Sequence, residues 1–358
     1  MKKIYKTLVA GSMLLLSTQI KAQDYIATLL NSGPAADANK LANAYLQPIF
    51  KGFGNGINTG WNNTAKTKSL LGFDLRVSSS AVFIPQADKS FDLTKIGLSN
   101  NVRPADPART ITPTIGGSRD AGAQISIYDD NNNKLKTVTL PSGVLSVIPA
   151  PQVQLTAGLI YHTEASLRYM PSVNFGSNIG SVSIIGFGLK HNILQDFVGK
   201  TADKIIPLDL AVSAGFTQLK YHLPVTVQPE NGAQPKDNQQ NTDFSNQHIA
   251  ATFNGFNAEV IVSKQILFFT PFASVGYISS HTNFNLLGNY PITTGINNYV
   301  EQRPVYTTFA NPLSINTNSV SNVKASLGFQ LNLAFFRFYA SYTTSQYQLV
   351  NAGVGFSL

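Results

Sequence analysis

The feature that most constrains this chain is an alternation of apolar residues with a period of two, which recurs in long segments from about residue 70 onward. Near the end of the chain, polar or small residues alternate with Ala325, Leu327, Phe329, Leu331 and Leu333. Successive side chains of a β-strand point to opposite faces, so this period predicts strands with one apolar face. Several segments run about 10–14 residues, which exceeds the usual strand of a globular sheet and suits a tilted transmembrane strand.

The charged residues of these segments all lie on the parity opposite to the apolar one. They are Asp74, Arg76, Glu164, Arg168, Asp209, Glu259, Lys324 and Arg337. In a transmembrane barrel the apolar parity faces lipid, where an Arg or Lys at the midplane costs about 2–4 kcal/mol, and the other parity faces a wet lumen. We therefore predict that these eight charges face the lumen, either as a mixed-charge network or as an anchor for a plug. A soluble β-sandwich also turns its charges to solvent and remains an alternative.

Residues 1–22 have the pattern of a Sec-type signal peptide. Lys2, Lys3 and Lys6 precede a short apolar segment, and Ala22 provides a small residue before the expected cleavage site. The formal net charge is +8, and four of the lysines lie in this segment, so the remaining chain carries 8 − 4 = +4. The basic residues do not form a stripe with interleaved aromatics, which argues against a nucleic-acid partner. The absence of cysteine excludes a lipoprotein anchor and a disulfide scaffold.

Residues 23–68 differ in character from the alternating region and are predicted to form a plug. The segment Asp37–Phe50 has helical periodicity, with Asp37 as a fair N-cap. We interpret Gly52, Gly54 and Gly56 as a flexible turn after that helix, because glycine tolerates positive φ.

The predicted fold is all-β: an antiparallel transmembrane barrel of about 12–14 strands over residues 69–358, with an N-terminal helical plug over residues 23–68. In hydrocarbon every backbone polar group must be paired, so the strand near Leu71 should pair with the last strand near Phe356. Short turns at one end and long polar connections at the other, over about 85–120, 222–247 and 283–320, are typical of such barrels. Residues 121–140 are expected to form a hairpin outside the membrane.

The layout of a helical plug followed by many strands resembles the long-chain fatty-acid transporter family of outer-membrane barrels. That resemblance implies an N-terminal hatch inside the barrel and passage of hydrophobic molecules. Three segments are more similar to an uncharacterised family of bacterial outer-membrane barrels: Leu41–Thr67, Gly186–Phe197 and Pro207–Thr217. This second resemblance implies a barrel and no assigned activity.

The function predicted from the sequence is passive transport of hydrophobic or amphipathic small molecules across a cell outer membrane. The candidate ligand-binding residues are Tyr45, Phe50, Phe53 and Trp61 of the plug. The alternative is a structural or surface-binding barrel that engages a partner through its long loops. The five histidines show no metal-ligand spacing and no catalytic triad is recognisable, so we expect no enzyme activity, metal or cofactor. The expected partners are outer-membrane lipids, a hydrophobic small molecule and the barrel-assembly machinery, which would recognise the last strand.

Overall fold

The computed structural model describes residues 22–129, 131–177, 179–198, 208–297 and 303–357. Within these ranges the α-helices are α1 (Ala22–Leu30), α2 (Ala35–Ile57) and α3 (Leu194–Val198). None of the described helices is both long and apolar enough to cross a bilayer. The predicted signal peptide lies outside the described residues apart from Ala22, as does Leu358.

The strands of the described residues fall into two groups: ten strands of 9–21 residues that form the barrel wall, called the long strands, and eight of 2–9 residues outside the wall, called the short strands. The long ones are β1 (Phe73–Phe83), β7 (Val147–Gly158), β8 (Thr163–Asn174), β9 (Ser181–Asn192), β10 (Asp209–Pro224), β12 (His248–Ser263), β13 (Phe269–Leu287), β16 (Leu313–Leu333), β17 (Phe336–Thr344) and β18 (Gln348–Ser357). The short ones are β2 (Ser90–Asp92), β3 (Val102–Pro104), β4 (Ile111–Pro113), β5 (Gln124–Tyr128), β6 (Lys134–Thr139), β11 (Gln234–Pro235), β14 (Asn289–Asn297) and β15 (Arg303–Ala310).

The ten long strands close an antiparallel barrel in the order β1-β18-β17-β16-β13-β12-β10-β9-β8-β7. The first strand pairs with the last, for example Leu75 with Phe356, as the closure argument predicts. A closed barrel excludes the sandwich alternative. The barrel architecture is confirmed, but ten strands close it among the described residues, fewer than the 12–14 that we predicted.

The two ends of the barrel differ. Connections 159–162, 264–268 and 334–335 are short and mark what we call the turn end. Connections 84–146, 225–247 and 288–312 mark the loop end, where the short strands form three small sheets, β2-β4, β3-β5-β6 and β11-β15-β14. The predicted hairpin over residues 121–140 is confirmed as the pairing of β5 with β6.

The outer wall is apolar only in its turn-end half. Phe187, Phe216 and Phe256 lie opposite one another on β9, β10 and β12. This aromatic row marks the edge of the apolar belt that is nearer to the loop end, which we call its upper edge. On β10 the belt continues toward the turn end through the half-buried Leu210 and the exposed Val212, which have the same parity as Phe216. This apolar face is the surface that acyl chains require.

Beyond the aromatic row the apolar parity reverses on strands such as β10 and β12. On β10 the outward residues become Gln218 and the exposed Lys220, whereas Leu219 and Leu223 are buried inside. The loop-end half of the barrel therefore has a wet exterior and an apolar core, like a soluble β-protein. Strands that serve both halves are long, up to 21 residues in β16. Because the strands are this long, the alternating residues that we assigned to 12–14 strands fit into ten.

Helix α2 lies inside the barrel and is longer than predicted. It runs through Pro48 and ends at Ile57, so our interpretation of Gly52, Gly54 and Gly56 as a turn was wrong. These glycines let the helix fit within a ten-stranded wall. A Cβ on Gly56 would lie 2.6 Å from Ala150 Cβ on one side, and a Cβ on Gly54 would lie 2.7 Å from Val320 on the other.

Candidate functional site

The turn-end half of the lumen is polar, and its wall cations bind the backbone of the plug. Arg168 donates to the carbonyl oxygens of Ile57 (2.7 Å) and Thr59 (2.8 Å). Arg76 donates to those of Gly60 and Trp61, both at 2.8 Å. Helix α2 has no basic residue in its last turn, so cations from the barrel wall satisfy its C-terminal carbonyls and complement its dipole.

Two further lysines combine plug binding with ion pairing. Lys324 lies 2.8 Å from Glu259 and donates to the carbonyl of Asn58 at 3.3 Å. Lys190 lies 2.8 Å from Glu164 and donates to the carbonyls of Thr64 and Lys66, at 2.8 and 3.1 Å. Lys190 was not among the predicted lumen charges, although it follows the same parity rule.

The remaining predicted lumen charges lie toward the turn end. Asp74 pairs with Lys68 at 3.7 Å, and Asp209 accepts a hydrogen bond from Asn192 at 3.0 Å. Arg337 has the inward parity but donates to Ala334 and Phe336 carbonyls of its own turn. Among the described residues it therefore stabilises its own turn and donates no hydrogen bond to the plug.

Trp61 lies in the polar, turn-end half of the lumen, which we call the polar level, and does not line a ligand pocket. Its ring packs under the guanidinium of Arg168, with 3.7 Å from the guanidinium carbon to the ring centroid. The ring also occupies space left by Gly188 and Gly215, where a Cβ would approach it to 2.7 and 2.6 Å. Trp61, which was predicted to bind a ligand, is thus an anchor of the plug.

The loop-end half of the lumen contains an apolar cavity of about 180 Å³ between the plug helices and the wall. Tyr45, Phe50 and Phe53 of α2, three of the candidate ligand-binding residues, line it, and the wall contributes residues such as Phe253 and Phe284. The ring centroids of Phe53 and Phe253 are 5.1 Å apart, and those of Phe50 and Phe284 are 5.7 Å apart.

The polar groups next to this cavity are mostly satisfied by the protein. The Tyr45 hydroxyl donates to the carbonyl of Ser142 at 2.8 Å, and the Tyr25 hydroxyl lies 3.0 Å from the Ser142 hydroxyl. A guest in the cavity would therefore meet aromatic and aliphatic surface almost everywhere.

The barrel ladder is broken beside this cavity. Over the fully described strands β7 and β8, pairing runs only from Gly158 opposite Glu164 to Gln154 opposite Arg168. Pro149, Pro151 and Pro171 lie in the unpaired parts, and proline cannot donate a ladder hydrogen bond. Pro149 also lines the cavity. The unpaired part begins next to Tyr169, which is exposed on the outer wall at the upper edge of the belt.

The histidines do not form a metal site in the part of the chain that the structure describes. His191 is the penultimate residue of β9, and its Nε2 lies 2.6 Å from Asp196 of α3, while His162 Nδ1 lies 3.2 Å from the same carboxylate. This contact fastens α3 to the turn end.

The comparisons with known proteins add a family and little else. The solved structures that resemble the chain include the outer membrane protease OmpT from Escherichia coli (8% identity, 82% of this chain and 100% of that chain, TM-score 0.33). They also include Ail, the attachment invasion locus protein of Yersinia pestis (9% identity, 81% and 100%, TM-score 0.25), and the Pseudomonas putida toluene transporter TodX (8% identity, 88% and 97%, TM-score 0.26). Likenesses this distant carry no argument about activity, and no curated protein matches the sequence. A family model covers residues 1–358 in full, and the chain therefore belongs to the family of unknown function DUF6588.

Proposed function

We propose that the protein is a non-enzymatic outer-membrane barrel that takes up small apolar molecules passively, as transporters of the long-chain fatty-acid type do. The observation that carries the proposal is the apolar cavity of about 180 Å³ between α2 and the wall. An apolar cavity of about 150 Å³ in another protein stays dry and binds benzene or xenon. The size here favours a guest of about one aromatic ring over a long acyl chain.

The broken ladder between β7 and β8 supports a lateral route to the cavity. Apolar molecules partition into the bilayer, and the unpaired strand ends begin at the upper edge of the apolar belt, beside Tyr169. A guest that leaves the bilayer there reaches the cavity without crossing the polar loop surface. Its onward passage requires residues 58–68 to leave the lumen, because these residues fill the polar level.

Binding of a single-ring guest to the purified barrel is the direct test. A fluorescent apolar probe should bind the folded protein, benzene or p-xylene should displace it, and palmitate should displace it poorly. Failure of every single-ring compound to compete, with the barrel shown folded by heat-modifiable gel migration, would refute the proposal.

A second function is partner binding through the loops, and it is favoured because the described loop residues have regular structure. The described loop residues form three small sheets, and Lys51 and Tyr347 both bind Asp88 where two of the connections meet the barrel, at 2.9 and 2.7 Å. A preformed surface lowers the entropic cost of binding a partner. Deleting residues 228–243 should abolish capture of such a partner and leave probe binding intact.

A further inference from the structure

We infer that a groove on the outer wall of the barrel, just above the apolar belt, binds the phosphate of an anionic lipid in the surrounding leaflet. The groove has a volume of about 230 Å³ and lies across β8, β9, β10 and β12. Its polar lining includes Ser172, Ser181, Ser183, Lys220, His222 and Thr252, beside the partly buried Tyr221.

The groove has the chemistry of an anion site. It presents one ammonium, one imidazole, four Ser and Thr hydroxyls and the Tyr221 phenol, and no acidic side chain is among the described residues that line it. The Lys220 ammonium and the four hydroxyls make no side-chain hydrogen bond within the described part of the protein, so their donors are free for a ligand. Several converging donors and one cation match a phosphate, which offers acceptor oxygens in several directions.

The strand register brings these groups together. Lys220 lies opposite Ser183 on β9 and opposite Thr252 on β12. A register shift in β8 between Met170 and Val173 leaves Ser172 in a bulge, and bulges commonly redirect a side chain toward a site. The ring of His222 stacks on that of His248, with centroids 4.8 Å apart, which fixes the imidazole at the edge of the groove.

The position of the groove selects a membrane lipid as its ligand. Lys220 lies four residues beyond Phe216 of the aromatic row that ends the belt, or roughly 10 Å above it along a tilted strand. The headgroup layer begins where the hydrocarbon ends and is about 5–8 Å thick. A lysine side chain reaches down into this layer, so a phosphate at headgroup depth lies within reach of Lys220, while the acyl chains of the same lipid lie against Phe187 and Phe216.

The test is lipid binding by the full-length barrel in detergent micelles, counted by native mass spectrometry. The probes are a diphosphorylated glucosamine lipid, its dephosphorylated form and inorganic phosphate. The variants are K220Q and S183A, and the matched control is K264Q, an exposed lysine at the turn end. Heat-modifiable gel migration confirms that each variant is folded.

The diphosphorylated lipid should bind at least about tenfold more tightly than the dephosphorylated form, and K220Q should remove most of that difference. S183A should have a smaller effect in the same direction, and K264Q should have none. Equal binding of the two lipids, or equal loss in K220Q and K264Q, would overturn the inference. Inorganic phosphate that binds as tightly as the lipid would show a site for a soluble anion and would also overturn it. Probe binding in the cavity does not depend on any of these outcomes.

Discussion

The guanidinium of Arg168, on the barrel wall, stacks on the indole ring of Trp61, in the plug, at 3.7 Å from the guanidinium carbon to the ring centroid. Arg168 is fully buried and also donates to two plug carbonyls. A planar guanidinium can stack and donate in its plane at the same time, which a lysine cannot do. This pair joins the two parts of the molecule at the level where the lumen is closed.

The first prediction concerns R168M. The substitution leaves the buried carbonyls of Ile57 and Thr59 without a donor, at about 1–3 kcal/mol each, so the thermal midpoint of barrel unfolding should fall. The plug should also loosen, which should raise ion conductance in planar bilayers and expose residues 58–68 to protease. The control is R337M, because among the described residues Arg337 donates only to carbonyls of its own turn. Wild-type conductance and protease resistance in R168M would show that other contacts hold the plug.

The second prediction concerns G56A. Alanine forms helix better than glycine by about 1 kcal/mol, so propensity alone would stabilise α2. The structure predicts the opposite, because the new Cβ would lie 2.6 Å from Ala150 Cβ. The unfolding midpoint should fall in G56A and recover in the double variant G56A/A150G. The matched control is G295A, since nothing lies within 4 Å of that added Cβ. A stabilised G56A would mean that the wall does not confine the helix.

The third prediction concerns the wall of the cavity at Ala251. A251L should fill the space and weaken binding of a single-ring probe at least about tenfold, with only a small change in unfolding midpoint because the added methyl groups enter an existing void. The same exchange at Ala258, which has the outward parity of β12, should leave probe binding unchanged. Unaltered binding in A251L would place the guest elsewhere.

The fourth prediction concerns pH at the turn end. The hydrogen bond from His162, followed in importance by the one from His191, holds the pKa of the Asp196 carboxyl below its ordinary value of 3.8. A carboxyl whose pKa is lower in the folded state contributes its stabilisation above the ordinary pKa and loses it as pH falls through the lowered one. Residues 194–198 should therefore stay protected from hydrogen exchange at about pH 5 and lose protection below about pH 4. D196N should lack this step, and an identical pH profile in D196N would refute the assignment.

Much of the architecture could be predicted from the sequence because side-chain parity is a local signal. The confinement of Arg76, Arg168 and Lys324 to one parity predicted their inward position, and the need for closure predicted the pairing of the first and last strands. The plug was also predictable, since residues 23–68 lack the period of two.

The number of strands could not be predicted by counting alternating segments. β10 remains one continuous strand although its apolar side changes from the outward face at Phe216 to the inward face at Leu219. The surroundings of its outer face change at that point from membrane to water. A period search treats such a reversal as a break between two strands. The signal is nevertheless present, because an apolar parity that switches without any turn residue indicates a strand that continues beyond the bilayer.

The partners of the plug were harder to predict, because they are backbone carbonyls. The bonds of Arg76 and Lys190 go to peptide oxygens, which every residue carries, so no residue type marks them. Trp61 was misplaced for a related reason: an aromatic in a plug suits a ligand pocket or a stack on a cation equally well. By contrast, the ladder break has a signal in the sequence, because Pro149, Pro151 and Pro171 lie in it and proline is rare inside paired strands.

The most direct test of the account closes the break between β7 and β8 and measures transfer of an apolar guest. The chain has no native cysteine, so a thiol cross-link between P151C and P171C is specific, and A157C/A165C in the paired part of the same two strands is the control. Proteoliposomes should transfer p-xylene faster than protein-free vesicles, and cross-linking the first pair, but not the second, should abolish the gain until the link is reduced. A gain that survives the first cross-link unchanged, or no gain with the open wild-type barrel, would contradict uptake through this gap.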